Sequence, residues 1–133
     1  MPDAVTDTHA LIWYLENDPR LGPDAGLVFS DCDQGQAWVY VPTVCLVEIV
    51  YLQEKGRIPA HLKATFDAKL KAGRSGLKLA DLTAEVVDAM AQTPRSEIPD
   101  MPDRIIAATA LHLGLPLVSK DRQIRSSIIT TIW

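Results

Sequence analysis

Short β-branched stretches alternate with longer helical stretches from one end of the chain to the other, and this alternation constrains the fold more than any other feature. Residues 4–6 (Ala4, Val5, Thr6) read as a first strand. Residues 8–16 read as a helix carrying Ala10, Leu11, Tyr14 and Leu15 on one face, ended by Asn17, Asp18 and Pro19. The pattern then predicts a helix over 23–32, a buried strand over 37–41, and a helix that begins at Pro42, a residue suited to a first helical position, and runs through Leu52. A helix over 59–71 closes near Gly73. A strand over 77–80, a helix over 82–92 and a loop over 94–99 follow. The helix over 102–113 ends at Gly114, where a left-handed cap fits. A strand over 115–119, a short turn or helix, and a last strand over 128–132 complete the chain. Such alternation predicts an α/β sandwich with a mainly parallel sheet and helices on both faces. Ligands in these sheets bind beyond the carboxyl ends of the strands, where strand order reverses.

The length of 133 residues fits one domain, and a 47% hydrophobic content is enough for a core without disulfides or a structural metal. Cys32 and Cys45 form no C-x-x-C and have no zinc-like spacing, so they are expected to be reduced, mostly buried thiols of a cytoplasmic protein. Met1-Pro2-Asp3-Ala4 lacks the basic start and apolar core of a signal peptide, and no uncharged apolar run reaches bilayer length. The net charge of −4 weighs against a protein that coats nucleic acid. The charge is uneven, however. Lys55, Arg57, Lys63, Lys69, Lys71, Arg74 and Lys78 stand against Asp67 alone in that stretch. It reads either as a solvated helix face or as a basic rim that receives RNA phosphates or an acidic partner.

Four carboxylates fall where the sheet pattern puts a ligand site. Asp7 follows the first strand, and Asp121 lies just past the strand over 115–119. Asp103 is in the first turn of the helix leading into that strand, and Glu48 is on the helix leaving the second strand. Each has a structural alternative. Asp7 would cap a helix, Asp103 would favour a helix N-terminus with Asp100 as the cap itself, and Asp121 would start a turn. Glu48 is the only charged residue between Val39 and Gln53, on a helix apolar on nearly every side and therefore expected to be buried on nearly every side. A carboxylate there costs several kcal/mol, roughly, unless paired, for example with Arg104, or bound to a metal. Grouped carboxylates repel, and oxygen-only ligands select Mg²⁺ or Mn²⁺.

Val5-Thr6-Asp7-Thr8-His9-Ala10-Leu11-Ile12-Trp13 resembles the opening of PIN-domain proteins, especially VapC-type toxins of bacterial toxin–antitoxin pairs. Val44-Cys-Leu-Val-Glu48-Ile resembles their second acidic motif, Asp103-Arg-Ile-Ile-Ala-Ala-Thr-Ala110 their third, and Leu115-Pro-Leu-Val-Ser-Lys-Asp121 their fourth. The resemblance covers nearly the whole chain as a single PIN domain. It implies a five-stranded parallel sheet of order 3-2-1-4-5 in a three-layer α/β/α sandwich, and a Mg²⁺- or Mn²⁺-dependent endoribonuclease. Asp7 and Asp103 would bind the metal directly, Glu48 and Asp121 would bind it or its waters, and Ser119 would support them by a hydrogen bond. The implied partners are RNA, a second copy of the chain in a homodimer, and an antitoxin whose tail covers the site.

Lys55, Arg57, Arg104 and Arg122 are candidate RNA contacts. His9 and His112 read as packing or hydrogen-bonding helix residues, His61 as surface, and Trp13 and Trp133 as core. Two rival functions remain open at this stage. One is a PIN fold that binds RNA or protein without cutting. The other is a receiver-like phosphoryl-transfer module, which would use Asp81 after the third strand but has no role for Glu48 or Asp103. A nucleotide-binding fold would need a glycine-rich turn after the first strand, and there is none.

Overall fold

The computed structural model describes residues 2–125 and 127–133; Met1, in the stretch read for a leader, and Ser126, in the turn before the last strand, lie outside them. The order is β1 (Ala4–Thr6), α1 (Thr8–Glu16), α2 (Pro23–Asp33), β2 (Val39–Pro42), α3 (Thr43–Glu54), α4 (Leu62–Ala72), β3 (Leu77–Ala80), α5 (Ala84–Ala89), α6 (Met101–Leu113), β4 (Leu117–Val118), α7 (Arg122–Arg125) and β5 (Thr131–Ile132). The five strands form one all-parallel sheet in the order β3-β2-β1-β4-β5, flanked by helices, an α/β sandwich as expected. The chain winds outward from β1 to β2 and β3 on one side, and to β4 and β5 on the other. The strand order therefore reverses between β1 and β4, where parallel neighbours leave a crevice beyond their carboxyl ends.

The elements follow local chemistry. Asp7 caps α1 by accepting the Ala10 amide at 2.9 Å, Thr83 caps α5 through the Val86 amide, and Asp100 caps α6 through the Asp103 amide. Gly114 closes α6 at φ +66°, the left-handed cap that its position implied. Helix α6 buries Ile105 through Ala110 without a break, and its alanines let it lie close against β1, α3 and α5. Phe29, Phe66, Leu11, Ile49, Leu62 and Leu117 are among the largest side chains buried in the interior.

Several boundaries differ from the pattern-based reading. Pro42 is the last residue of β2 and precedes α3, not its first helical residue. Pro42 pairs with Ala80 of β3 beyond the point where the β1 ladder has ended, so its missing N–H costs no bond on that side. Ala37 and Trp38 precede β2, with the Trp38 amide donating to Asp3 Oδ1. The last strand is Thr131–Ile132 because Ser127 Oγ accepts the Ile129 amide and commits 127–129 to a turn. The largest correction concerns α3. It is not buried on nearly every side: Cys45 and Ile49 are buried, whereas Val47 and Tyr51 are 54% and 60% exposed. One stripe packs on α1, α4 and α6, and the opposite apolar stripe faces solvent. Among the described residues, no helix is long and apolar enough to cross a membrane.

Candidate active site

The crevice at the switch point is a cleft of about 770 Å³ lined by Asp7, Glu48, Asp103 and Asp121 together with Asp100. The four sequence-predicted acids thus share one cleft, although they come from the end of β1, the second turn of α3, the first turn of α6 and the segment after β4.

Asp7 is 8% exposed and is the anchor. Its backbone amide donates to the Val118 carbonyl at 3.1 Å, which ties the end of β1 to the end of β4. Burial pushes its carboxyl above the usual range, against the lowering influence of hydrogen bonds from Ser119 and the Ala10 amide, and nearby Asp121 pushes it further up. Ser119 is fully buried; its Oγ also accepts the Asp121 amide at 3.1 Å. One serine therefore holds Asp7 and orients Asp121. Asp121 Oδ1 accepts the Gln123 and Ile124 amides, so its turn-starting role exists alongside its place in the cleft.

Glu48 is half-buried and accepts a hydrogen bond from Thr8 Oγ1. Burial raises its pKa, and Asp100 and Asp7 add to the rise. Arg104 is not its partner. The Arg104 guanidinium donates to the carbonyls of Thr93 and Met90, at 2.6 and 3.0 Å, and so pins the segment before α6. Asp103 is pushed up to about 7, first by burial and then by Asp100, Asp121, Glu48 and Asp7. After burial, the neighbouring carboxylates add to the rise in each case, and a cation among them would offset that repulsion. All the acidic donors are oxygens, which suits a hard divalent ion. Among the described residues no three carboxylate, imidazole or thiol groups form a ready cage for one ion.

The cleft also contains residues that the sequence reading did not assign to it: Thr8, His9, Trp13, Arg20, Lys120 and Trp133. His9 is exposed on the cleft and its ring lies against Trp13, with centroids 5.9 Å apart, and Trp13 is buried yet lines the cleft. Of the candidate RNA contacts, Arg122 lines the cleft, while Lys55, Arg57 and Arg104 do not. None of the seven cations over 55–78 lines it either. Lys63 pairs with Asp67 at 2.7 Å, Lys69 lies over Tyr14, and Lys78 lies over Trp38, the pattern of a solvated face. Asp81 is exposed beyond β3, at the far edge of the sheet from β4, and is outside the cleft. Both cysteines are free and buried, as expected, and burial raises both thiols, Cys32 to about 11.

A parallel α/β sheet with an acidic cleft at its switch point defines a class of proteins whose chemistry sits among carboxylates from distant parts of the chain. Residues 4–126 match the family model of the PIN domain, and the chain belongs to that family. It is 27% identical over 126 residues to ribonuclease VapC22 of Mycobacterium tuberculosis, covering 95% of this chain and 92% of that protein. Its fold matches the VapBC2 complex of Rickettsia felis bound to a promoter DNA fragment, with a TM-score of 0.71, 14% identity, and coverage of 99% and 98% of the two chains. It also matches a toxin–antitoxin complex from Klebsiella pneumoniae, with a TM-score of 0.65, 16% identity, and coverage of 98% and 97%.

Proposed function

We propose that the protein is a Mg²⁺- or Mn²⁺-dependent endoribonuclease that cleaves RNA phosphodiester bonds in the acidic cleft. The observation that carries this reading is the convergence of Asp7, Glu48, Asp103 and Asp121 on one cleft at the switch point of a PIN-family sheet. The named relative, a ribonuclease, supports the choice of RNA. When bound, the cation supplies the Lewis acidity that polarises the scissile phosphate and its attacking water. Asp7 and Asp103 hold it directly, and Glu48 and Asp121 hold it or its waters. Ser119 fixes the Asp7 carboxylate, and Thr8 fixes Glu48. Asp103, pushed up to about 7, is partly protonated near neutral pH, and a bound cation would favour its ionised form, the proton leaving to solvent.

We also infer that the chain is the toxin of a two-component pair, acting in the cytoplasm as a homodimer restrained by an antitoxin. The likeness to a toxin–antitoxin complex supports the partner, and the exposed apolar stripe of α3 supports self-association.

The test is cleavage of a mixed structured-RNA pool by purified protein with Mg²⁺, Mn²⁺ or EDTA, beside Asp7→Asn and Asp103→Asn, each checked for folding by circular dichroism. Metal-dependent cleavage lost in both folded variants is expected. Cleavage that persists in EDTA or in both variants overturns the mechanism. RNA binding without cleavage, retained in Asp7→Asn, would instead identify a binding module.

A further inference from the structure

One wall of the cleft has the wrong charge for holding a cation. Arg20 and Lys120, far apart in sequence, both lie over the Trp13 indole, each 4.9 Å from the ring centroid, and both line the cleft. Arg20 is oriented by a two-oxygen contact with Asp18, whereas Lys120 is exposed and has no carboxylate partner among the described residues. Two cations placed on one aromatic ring repel each other, and an anion between or beside them relieves that repulsion. Trp133 completes the wall. Its ring meets Trp13 edge-on, with centroids 5.6 Å apart at 65°. It is held in place at both ends: its carbonyl accepts the Asp24 and Ala25 amides at the start of α2, and its indole occupies the space above Gly22. A Cβ on Gly22 would stand 2.6 Å from Trp133 Cδ1.

We propose that Arg20, Lys120 and the Trp13–Trp133 indole pair form a strand-holding subsite. Arg20 and Lys120 take a backbone phosphate of single-stranded RNA, and Trp133, partly buried against the core, offers its remaining accessible surface to the adjacent unstacked base. The neighbouring phosphodiester then lies toward the carboxylates across the same cleft. A cleft of about 770 Å³ admits a nucleotide-sized group, and unstacked bases on aromatic shelves are the way proteins hold single strands. The cationic wall also offsets the repulsion that an acidic cleft exerts on a polyanion. This inference rests on the ribonuclease reading and names which part of the RNA the site grips.

Binding is measured for a fluorescein-labelled pool of random single-stranded RNA, and for a duplex of the same length, over a range of KCl in the Asp103→Asn background with Mg²⁺. Lys120→Gln, Lys120→Arg and Trp133→Ala are compared in that background, with folding checked by circular dichroism. For a subsite of this kind, Lys120→Gln lowers the slope of log affinity against log salt by about 0.7, the value for one lost single-strand phosphate contact, and Lys120→Arg restores it. Trp133→Ala weakens single-strand binding by roughly 5- to 100-fold and leaves the salt slope alone, and the duplex binds more weakly than the single strand throughout. Single-strand binding with unchanged slope and affinity in both Lys120→Gln and Trp133→Ala overturns the subsite while leaving the ribonuclease reading standing. Absence of RNA binding by the parent overturns the subsite, whereas the ribonuclease reading is decided separately by metal-dependent cleavage in the wild type.

Discussion

Asp7 does two jobs with one carboxyl group. It caps α1 through the Ala10 amide and lines the cleft, where burial keeps its pKa high. Asparagine caps a helix about as well as aspartate, so Asp7→Asn separates the two jobs. Its metal-free melting temperature is expected to equal or exceed that of the wild type, since a buried carboxyl with a raised pKa is removed. Its cleavage rate is expected to fall roughly 100-fold or more. A calorimetric scan beside a cleavage assay checks both, and a large loss of stability would show that the charge is structural. The four acids were legible in the sequence because their positions relative to strands and helices place them at one edge. Thr8 on Glu48 was not, nor were Arg20 and Lys120 on Trp13. The Thr8–Glu48 and Lys120–Trp13 contacts, across 40 and about 100 residues, leave no periodic trace, Arg20 reaches Trp13 only because the chain turns back after α1, and a lysine beside Asp121 reads as ordinary surface until the strand ends are placed.

At the level of elements, the segment between α5 and α6 depends on Arg104. Its guanidinium bonds to the Thr93 and Met90 carbonyls hold the approach to α6, and hence Asp100 and Asp103. Arg104→Ala leaves two carbonyls without that donor and is expected to cost about 2 kcal/mol of stability, measurable by urea denaturation. Because Arg104 lies outside the cleft, the salt dependence of RNA binding is expected to stay unchanged. A loss of one phosphate's worth of slope would return Arg104 to the list of RNA contacts. The entry to β3 is as demanding. Gly76 packs so closely on the segment leading into β2 that an added Cβ would lie 1.8 Å from the Ala37 carbonyl oxygen. Its amide and carbonyl also bond to the Cys32 carbonyl and the Val39 amide. Gly76→Ala is therefore expected to lose roughly 1–3 kcal/mol or more, and a melting temperature within a degree of wild type would contradict this packing. Helix existence and order were readable from apolar spacing, and Gly114 from its cap position. The exposure of α3 was not readable, because an all-apolar helix looks the same whether its second face meets a core or an uncovered surface. The premise used for Glu48, burial on nearly every side, fails for its helix. The residue is nonetheless half-buried because it sits on the stripe that meets α1.

Across the whole molecule, the acid cleft couples stability to pH and to cations. Asp7, Glu48 and Asp103 all bind protons more tightly in the fold than in the unfolded chain. Their folded pKa values are raised, so between the ordinary carboxylate value, about 4, and about 7 for Asp103, the folded state binds more protons than the unfolded one. Their contribution is thus most favourable below about pH 4 and declines as pH rises toward neutrality. The metal-free melting temperature is expected to fall over that window, and Mg²⁺ is expected to raise it more at pH 8 than at pH 5. A cation effect independent of pH would mean that the ion binds elsewhere. The sheet order is the deeper cause. It brings the ends of β1 and β4 together and makes Asp7 and Asp121 neighbours across Ser119, although more than a hundred positions separate them. The most direct single measurement is the rate of RNA cleavage against Mg²⁺ concentration for the wild type and Asp103→Asn at neutral pH. Cleavage that rises with Mg²⁺, vanishes in EDTA and is nearly absent in the folded variant is the predicted result. Equal cleavage by the two proteins, or cleavage indifferent to the cation, would contradict the account.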